Sequence, residues 1–254
     1  MTIPDEVDEA VLLHALRRDF ERAAPLGERT AGPRPDGRPR RGSALADDAR
    51  TGPHRLSHSA HHALVVAVDH LQALAALMSG TENDGHREMP LPTHAPFTLL
   101  RAALENAARA VRLLAPASRR ERVHRCLRMH LAGLKSSEAK ATLLGHALEG
   151  RQERQERVKD LLCAAGIPQS ELSNGKLKMP GYGDIVRTAG THTPGGGEHA
   201  RAVLDRETMA TDGDVSWIRS TGSTKAALVI TDLAIGMAES AFALYTTRAR
   251  VPCL

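Results

Sequence analysis

Between Pro96 and Pro116 apolar residues recur at helical intervals: Leu100, Leu104, Ala107, Val111 and Leu114. That spacing places them on one face of an α-helix. Arg101, Glu105, Arg109 and Arg112 fall on the opposite side, with Glu105 four residues from an Arg in each direction. Pro96 suits a first helical turn and Pro116 stops the helix. The pattern predicts a helix over 96–115. A stripe of this kind must be buried against other elements.

The residues available to cover it narrow the choice further. Only one Trp, two Tyr and three Phe occur in 254 residues. The core must therefore be built from Ala, Leu and Val. Ala and Leu are strong helix formers, and the aromatic strand formers are nearly absent. Further helical patterns occupy 5–24, 57–79, 119–134, a stretch from Ser136 or Ser137 to about 165, 198–209 and 224–248. Ser57 is positioned to cap the second, and Ser79-Gly80 to end it. Ser118-Arg-Arg-Glu121 is a capping-box pattern for the fourth. Gly166 and Pro168 end the fifth. Residues 168–197 read as irregular. The sum is an all-α helical bundle.

Residues 25–55 differ in character. They are rich in Pro, Gly and Arg and carry little apolar surface. Such a segment cannot offset the entropy of ordering, so it reads as a disordered basic linker. The chain thus divides into an N-terminal helix (1–24), a linker (25–55) and a bundle domain (56–254).

The formal net charge is +4 and the pI about 9.2, which permits a nucleic-acid partner without requiring one. Cys126, Cys163 and Cys253 form no C-x-x-C pair, which argues against a disulfide framework and a thiolate zinc site. The acidic start (Asp5, Glu6, Asp8, Glu9) lacks a secretory-signal pattern. These features predict a cytoplasmic protein. The apolar stretch 226–245 is long enough to span a bilayer, but Asp232 and Glu239 interrupt it, so a buried helix and no membrane role are expected.

Four groups of residues could carry chemistry. His54, His58 and His62 lie four apart, a spacing that lets two histidines share a metal on one helix face; His61 stands beside them. No other cofactor motif is present. Arg125-Cys-Leu-Arg-Met-His130 pairs a cation for phosphate with a general acid or base. His130 falls on the apolar stripe where Leu would pack best. A five-residue step puts Arg125 about 140° from His130 around the helix, so the two would converge best at a cleft between two helices or two protomers. Gly195-Gly-Gly197 precedes a helix and offers backbone amides to an anion. Asp232 and Glu239 share one face of the last helix, and the Arg101, Arg109 and Arg112 face is the expected source of their counter-charges.

The Arg125–His130 spacing resembles the signature of the HEPN family (higher eukaryotes and prokaryotes nucleotide-binding domains). Those are helical bundles, many of them metal-independent ribonucleases of toxin or defence systems that act as dimers. The resemblance implies His130 as acid/base and Arg125 as phosphate clamp. The run Arg101-Ala-Ala-Leu-Glu105-Asn-Ala-Ala-Arg109-Ala, the Glu121-Arg122-x-x-Arg125 run and Trp217-x-x-Ser220 are similar to a group of bacterial helical proteins without an assigned activity. Three functions stand open: an interaction or regulatory module that self-associates, a HEPN-like ribonuclease, and a nucleic-acid-binding module.

Overall fold

In the computed structural model, which describes residues 8–31, 39–48, 54–79, 81–83, 86–88, 94–145, 150–168, 179–211 and 223–250, the stripe from Leu100 to Leu114 is buried along one helix. That helix, Ala95–Leu114, is the one on which the others converge. In chain order the described residues form α1 (Glu9–Thr30), α2 (Ala44–Asp48), α3 (Leu56–Leu77), a hairpin of β1 (Thr81–Asn83) and β2 (His86–Glu88), and α4 (Ala95–Leu114). Then follow α5 (Arg119–Leu143), α6 (Arg151–Ala164), α7 (Tyr182–Gly190), α8 (Gly196–Thr211) and α9 (Ser223–Ala249). The hairpin pairs Thr81 with Glu88 and Asn83 with His86. The architecture is the all-α bundle that the pattern predicts.

Helices α3, α4 and α9 form the inner layer. Their contact faces are rich in Ala: Ala60, Ala63 and Ala67 on α3, Ala103, Ala107 and Ala110 on α4, Ala234, Ala238 and Ala241 on α9. Small side chains let backbones approach closely, which suits a chain with few aromatics. By length and composition α3 and α9 could each cross a membrane. Here both pack in the core, and Asp232 and Glu239 lie on the outer side of α9.

Helix α1 covers α3 and α9. Its Leu12, Leu16, Ala23 and Leu26 belong to the main core, so the N-terminal helix is part of the bundle and not a separate unit. It also runs past the expected end at residue 24, through Pro25, to Thr30. A proline inside a helix costs about 3 kcal/mol. Burial of Leu26 and the stacking of the Arg29 guanidinium on the Phe242 ring at 4.2 Å hold the last turn in place.

Part of the expected linker is folded as well. Residues 39–48 run along the bundle, with the Arg40 amide donating to the Ala249 carbonyl at 3.1 Å and Leu45 fully buried. Residues 32–38 and 49–53 lie outside the described residues. Sequence composition misses this docking because it rests on two side chains, Leu45 and Asp48. The Asp48 carboxylate is fully buried. Arg122 Nε donates to its Oδ2 at 2.7 Å and Arg122 Nη2 to its Oδ1 at 3.1 Å.

Other boundaries differ from expectation in instructive ways. Ser57 does not cap α3; Arg55 holds that position without a side-chain cap, and Ser57 is buried in the first turn. Helix α5 continues through Lys135–Ser137, where a break was expected. Ser136 and Ser137 can cap a helix, but nothing there stops one. The stop comes at Gly145, whose φ of 70° is left-handed. Helix α6 ends as expected. Gly166 has φ 84°, its amide bonds the Cys163 carbonyl, and the Ile167 amide bonds that of Leu162. Helices α5 and α6 bury a second, smaller core of Val123, Leu127, Leu131, Val158, Leu162 and Ile167.

Asp232 and Glu239 have a different partner from the expected α4 arginines. Arg22 of α1 donates to Asp232 Oδ1 at 2.7 Å and to both Glu239 oxygens at 2.8 and 2.6 Å. Of the α4 arginines, Arg101 bonds Glu105 on the same helix, Arg109 lies over the Tyr182 ring of α7, and Arg112 feels the charges of Arg125 and Arg128 on α5. Asp19 lies 3.9 Å from the same guanidinium. Burial, and next the Asp232 charge, push the Asp19 carboxyl up to about 6.

Two predictions follow from these contacts. Asp48→Ala leaves the Arg122 guanidinium buried and uncompensated, and should cost about 3–5 kcal/mol in urea unfolding. A loss below about 1 kcal/mol would mean that the 39–48 segment contributes nothing to stability. For Asp19 the folded pKa lies above the unfolded one, so folding takes up a proton and stability falls as pH rises from about 4 to 6. Asp19→Asn should therefore be more stable than wild type above pH 6, by roughly 2 kcal/mol. The two proteins should converge near pH 4 in the same urea titrations.

Candidate functional site

The anomaly on the α5 stripe leads to the site. Val123, Leu127 and Leu131 are buried in the α5–α6 core, while His130 turns toward the start of α3. Its Nε2 is 2.9 Å from Ser59 Oγ. The His54 ring, just before α3, lies against the His130 ring with centroids 4.5 Å apart and planes tilted by 48°. Cys126, one turn before His130, is buried with Sγ 3.6 Å from Ser59 Oγ and 3.7 Å from the His54 carbonyl oxygen. Four polar side chains thus meet where α5 crosses the α3 N-terminus.

Burial lowers the His130 pKa to about 4, and the neighbouring His54 adds to the effect. The His54 pKa is also lowered, first by burial and then by the Arg157 charge. Burial pushes the Cys126 thiol up to about 11, so it is not a thiolate nucleophile at neutral pH. Ser59 Oγ also donates to the Arg55 carbonyl at 3.3 Å. With its proton there, Ser59 accepts from His130 Nε2–H. With its hydroxyl donating to an unprotonated His130 Nε2 instead, Ser59 and His130 form a nucleophile–base couple. Among the described residues no carboxylate bonds the other ring nitrogen, so none is there to stabilise the charged imidazole. An imidazole of pKa near 4 is a weak base at neutral pH.

Arg125 is held elsewhere. Its Nε donates to Glu121 Oε1 at 2.7 Å and its Nη1 to the Arg112 carbonyl at 3.0 Å. That carbonyl belongs to the last turn of α4, where helical acceptors lack internal partners and a cation is favoured. Within one chain, the fold does not bring Arg125 and His130 together. The helical step that separates them by about 140° places them against different neighbours.

The histidine metal reading is not assembled. Among the described residues no group of three His, Cys, Asp or Glu side chains could hold a metal ion. Helix α3 begins at Leu56, so His54 lies outside the helical spacing and stacks on His130. His58 and His62 are exposed on α3. His61 instead has its ring 6.2 Å from that of Tyr245.

The glycine run has a packing role. Gly196 takes φ 75° at the start of α8. Gly197 sits against the Arg187 carbonyl oxygen of α7, so closely that a Cβ would collide with it. A carbonyl oxygen at that point is the wrong partner for an anion. Helix α7 itself lies inside the stretch expected to be irregular. The Trp217–Ser220 segment lies outside the described residues, as do Cys253 and residues 169–178.

No family model, curated protein or solved structure matches the chain.

The site has a pH signature. His130 binds its proton less tightly folded than unfolded, so its contribution to stability, opposite in sign to that of Asp19, rises as pH increases from about 4 to 6.5 and is lost on acidification through that window. His130→Gln should flatten this rise by roughly 2 kcal/mol, measured as the pH dependence of unfolding free energy relative to wild type. Parallel pH profiles would show that His130 titrates as it does in a peptide.

Proposed function

We propose that the chain is a non-enzymatic interaction module that self-associates and works in a bacterial cytoplasm. The observation that carries this reading is the use to which the Arg125–His130 pair is put. Arg125 ties α5 to the α4 C-terminus through Glu121 and the Arg112 carbonyl. His130 ties α5 to α3 through Ser59, as a neutral ring. Both act as fastenings between helices.

Two surfaces suit binding. A cleft of about 470 Å³ opens between α1 and the end of α3, floored by Leu13, Leu16, Phe20, Ala75 and Met78 with His14, Arg17 and Glu21 at its rim. An apolar floor with a polar rim is the usual make-up of a binding site. At the α5 tip Leu143 and Leu144 stand 87% and 72% exposed in sequence neighbours, an apolar end that association would cover.

The alternative is a HEPN-like ribonuclease with His130 as acid/base and Arg125 as clamp. Its support is that both side chains remain partly open to solvent on one helix, so that a second copy could complete a site. Labelled RNA incubated with the full chain in EDTA separates the two. The module reading expects no cleavage by wild type or His130→Ala. It also expects a defined oligomer in sedimentation that Leu143→Glu with Leu144→Glu dissociates. Cleavage by wild type, lost in His130→Ala, would replace it with the nuclease. A monomeric wild type would remove self-association.

A further inference from the structure

Three arginines meet at the crossing of α4 and α5. Arg112 comes from the last turn of α4, and Arg125 and Arg128 stand three residues apart on the facing side of α5. Arg125 Nη1 bonds the Arg112 backbone, which brings the two residues together. The Arg112 guanidinium is half-buried and makes no side-chain hydrogen bond or ion pair with the described residues. Its pKa is lowered by burial and then by the charges of Arg125 and Arg128. Glu121 is a carboxylate at this crossing. It bonds Arg125 Nε, lies 3.9 Å from His124 Nδ1, and acts on Arg112 only at longer range. Arg125 Nη2 stays open.

Like charges half-removed from water repel each other at a cost that a bound anion would reverse. Guanidinium forks from two rigid helices also match the geometry of a tetrahedral oxyanion. We propose that Arg112, Arg125 and Arg128 form a binding site for a compact phosphate-type oxyanion, either free phosphate or pyrophosphate or the phosphoryl end of a nucleotide. A polymer is the poorer fit. A nucleic-acid strand needs a continuous basic track, whereas the neighbouring α6 alternates its charges: Glu153, Arg154, Glu156, Arg157, Lys159, Asp160.

The test uses inorganic pyrophosphate titrated into the full chain by calorimetry, at an ionic strength matched with sodium chloride. Wild type should bind one equivalent. Arg112→Gln should bind roughly tenfold more weakly, since it removes one charged fork. Because the Arg112 side chain holds no partner among the described residues, this variant should melt no lower than wild type without ligand, and pyrophosphate should raise the melting temperature of wild type alone. ADP serves as a second ligand. Equal affinity identifies the free oxyanion as sufficient, and tighter ADP binding identifies a nucleotide. The proposal is overturned by an absence of pyrophosphate binding or by unchanged binding in Arg112→Gln. It is equally overturned if a short single-stranded RNA binds and pyrophosphate fails to displace it.

Discussion

The C-terminal end of α4 is the point on which the rest of the bundle depends. A helix leaves its last carbonyls without internal partners, and here those of α4 and the residues after it are part-buried between helices. Three arginines from two other helices supply the donors. Arg248 of α9 reaches the Leu114, Ala115 and Pro116 carbonyls, Arg122 of α5 those of Pro116 and Ala117, and Arg125 that of Arg112. Each fork satisfies acceptors and complements the negative end of the helix dipole. One of these arginines is itself buried and must be neutralised. Asp48 does this from the docked 39–48 segment, which ties the N-terminal part of the chain to the centre of the fold. The same device recurs at smaller scale. Arg120 donates to the Gly166 carbonyl after α6, and Arg119 to the Asp47 carbonyl at the end of α2.

This use of arginine follows from the composition. With six aromatic residues in 254, the helices cannot be locked by large side chains. Ala-rich faces bring them close but bury little area per residue. Long guanidinium side chains then do the crosslinking at the periphery, where their stems pack and their forks bond carbonyls. Arg22 plays the same part between α1 and α9, and Arg29 does so by lying over Phe242. The abundance of Arg is therefore accounted for by helix fastening without invoking a polyanionic partner.

What the sequence reveals and what it hides divides along the range of the interaction. The α4 stripe, its proline boundaries, the Ser118 cap that accepts from the Glu121 amide at 3.2 Å, and the Gly166 stop are all set within a few residues, and all are legible. Helix α7 is not, because Gly181, Gly183 and Gly190 mask its short apolar period, and its stability comes from packing on α4 and α8. Neither is the docking of Leu45 and Asp48, since composition averages out two decisive side chains. At the site, His130 is legible as a polar residue on an apolar stripe. Its partner is not: Ser59 lies 71 residues away, and nothing local marks one serine among several as the bonded one. The counter-charges of Asp232 and Glu239 fail for the same reason. Helical phase shows that they need a cation, but not which helix supplies it.

A short Arg–His spacing signals chemistry only if both side chains are available to a substrate. In this fold arginines at helix crossings are recruited by carbonyl groups, and Arg125 is one of four on α5 that bond a backbone oxygen or a buried carboxylate. His130 is drawn inward by its place on the stripe, where desolvation leaves it a weak base. Arg112 is different, because among the described residues no carbonyl or carboxylate claims its side chain although its neighbours hold it half out of water. A charge that structure does not consume is a better indicator of function than a motif that structure does, and it directs attention from the His130 cluster to the α4–α5 crossing.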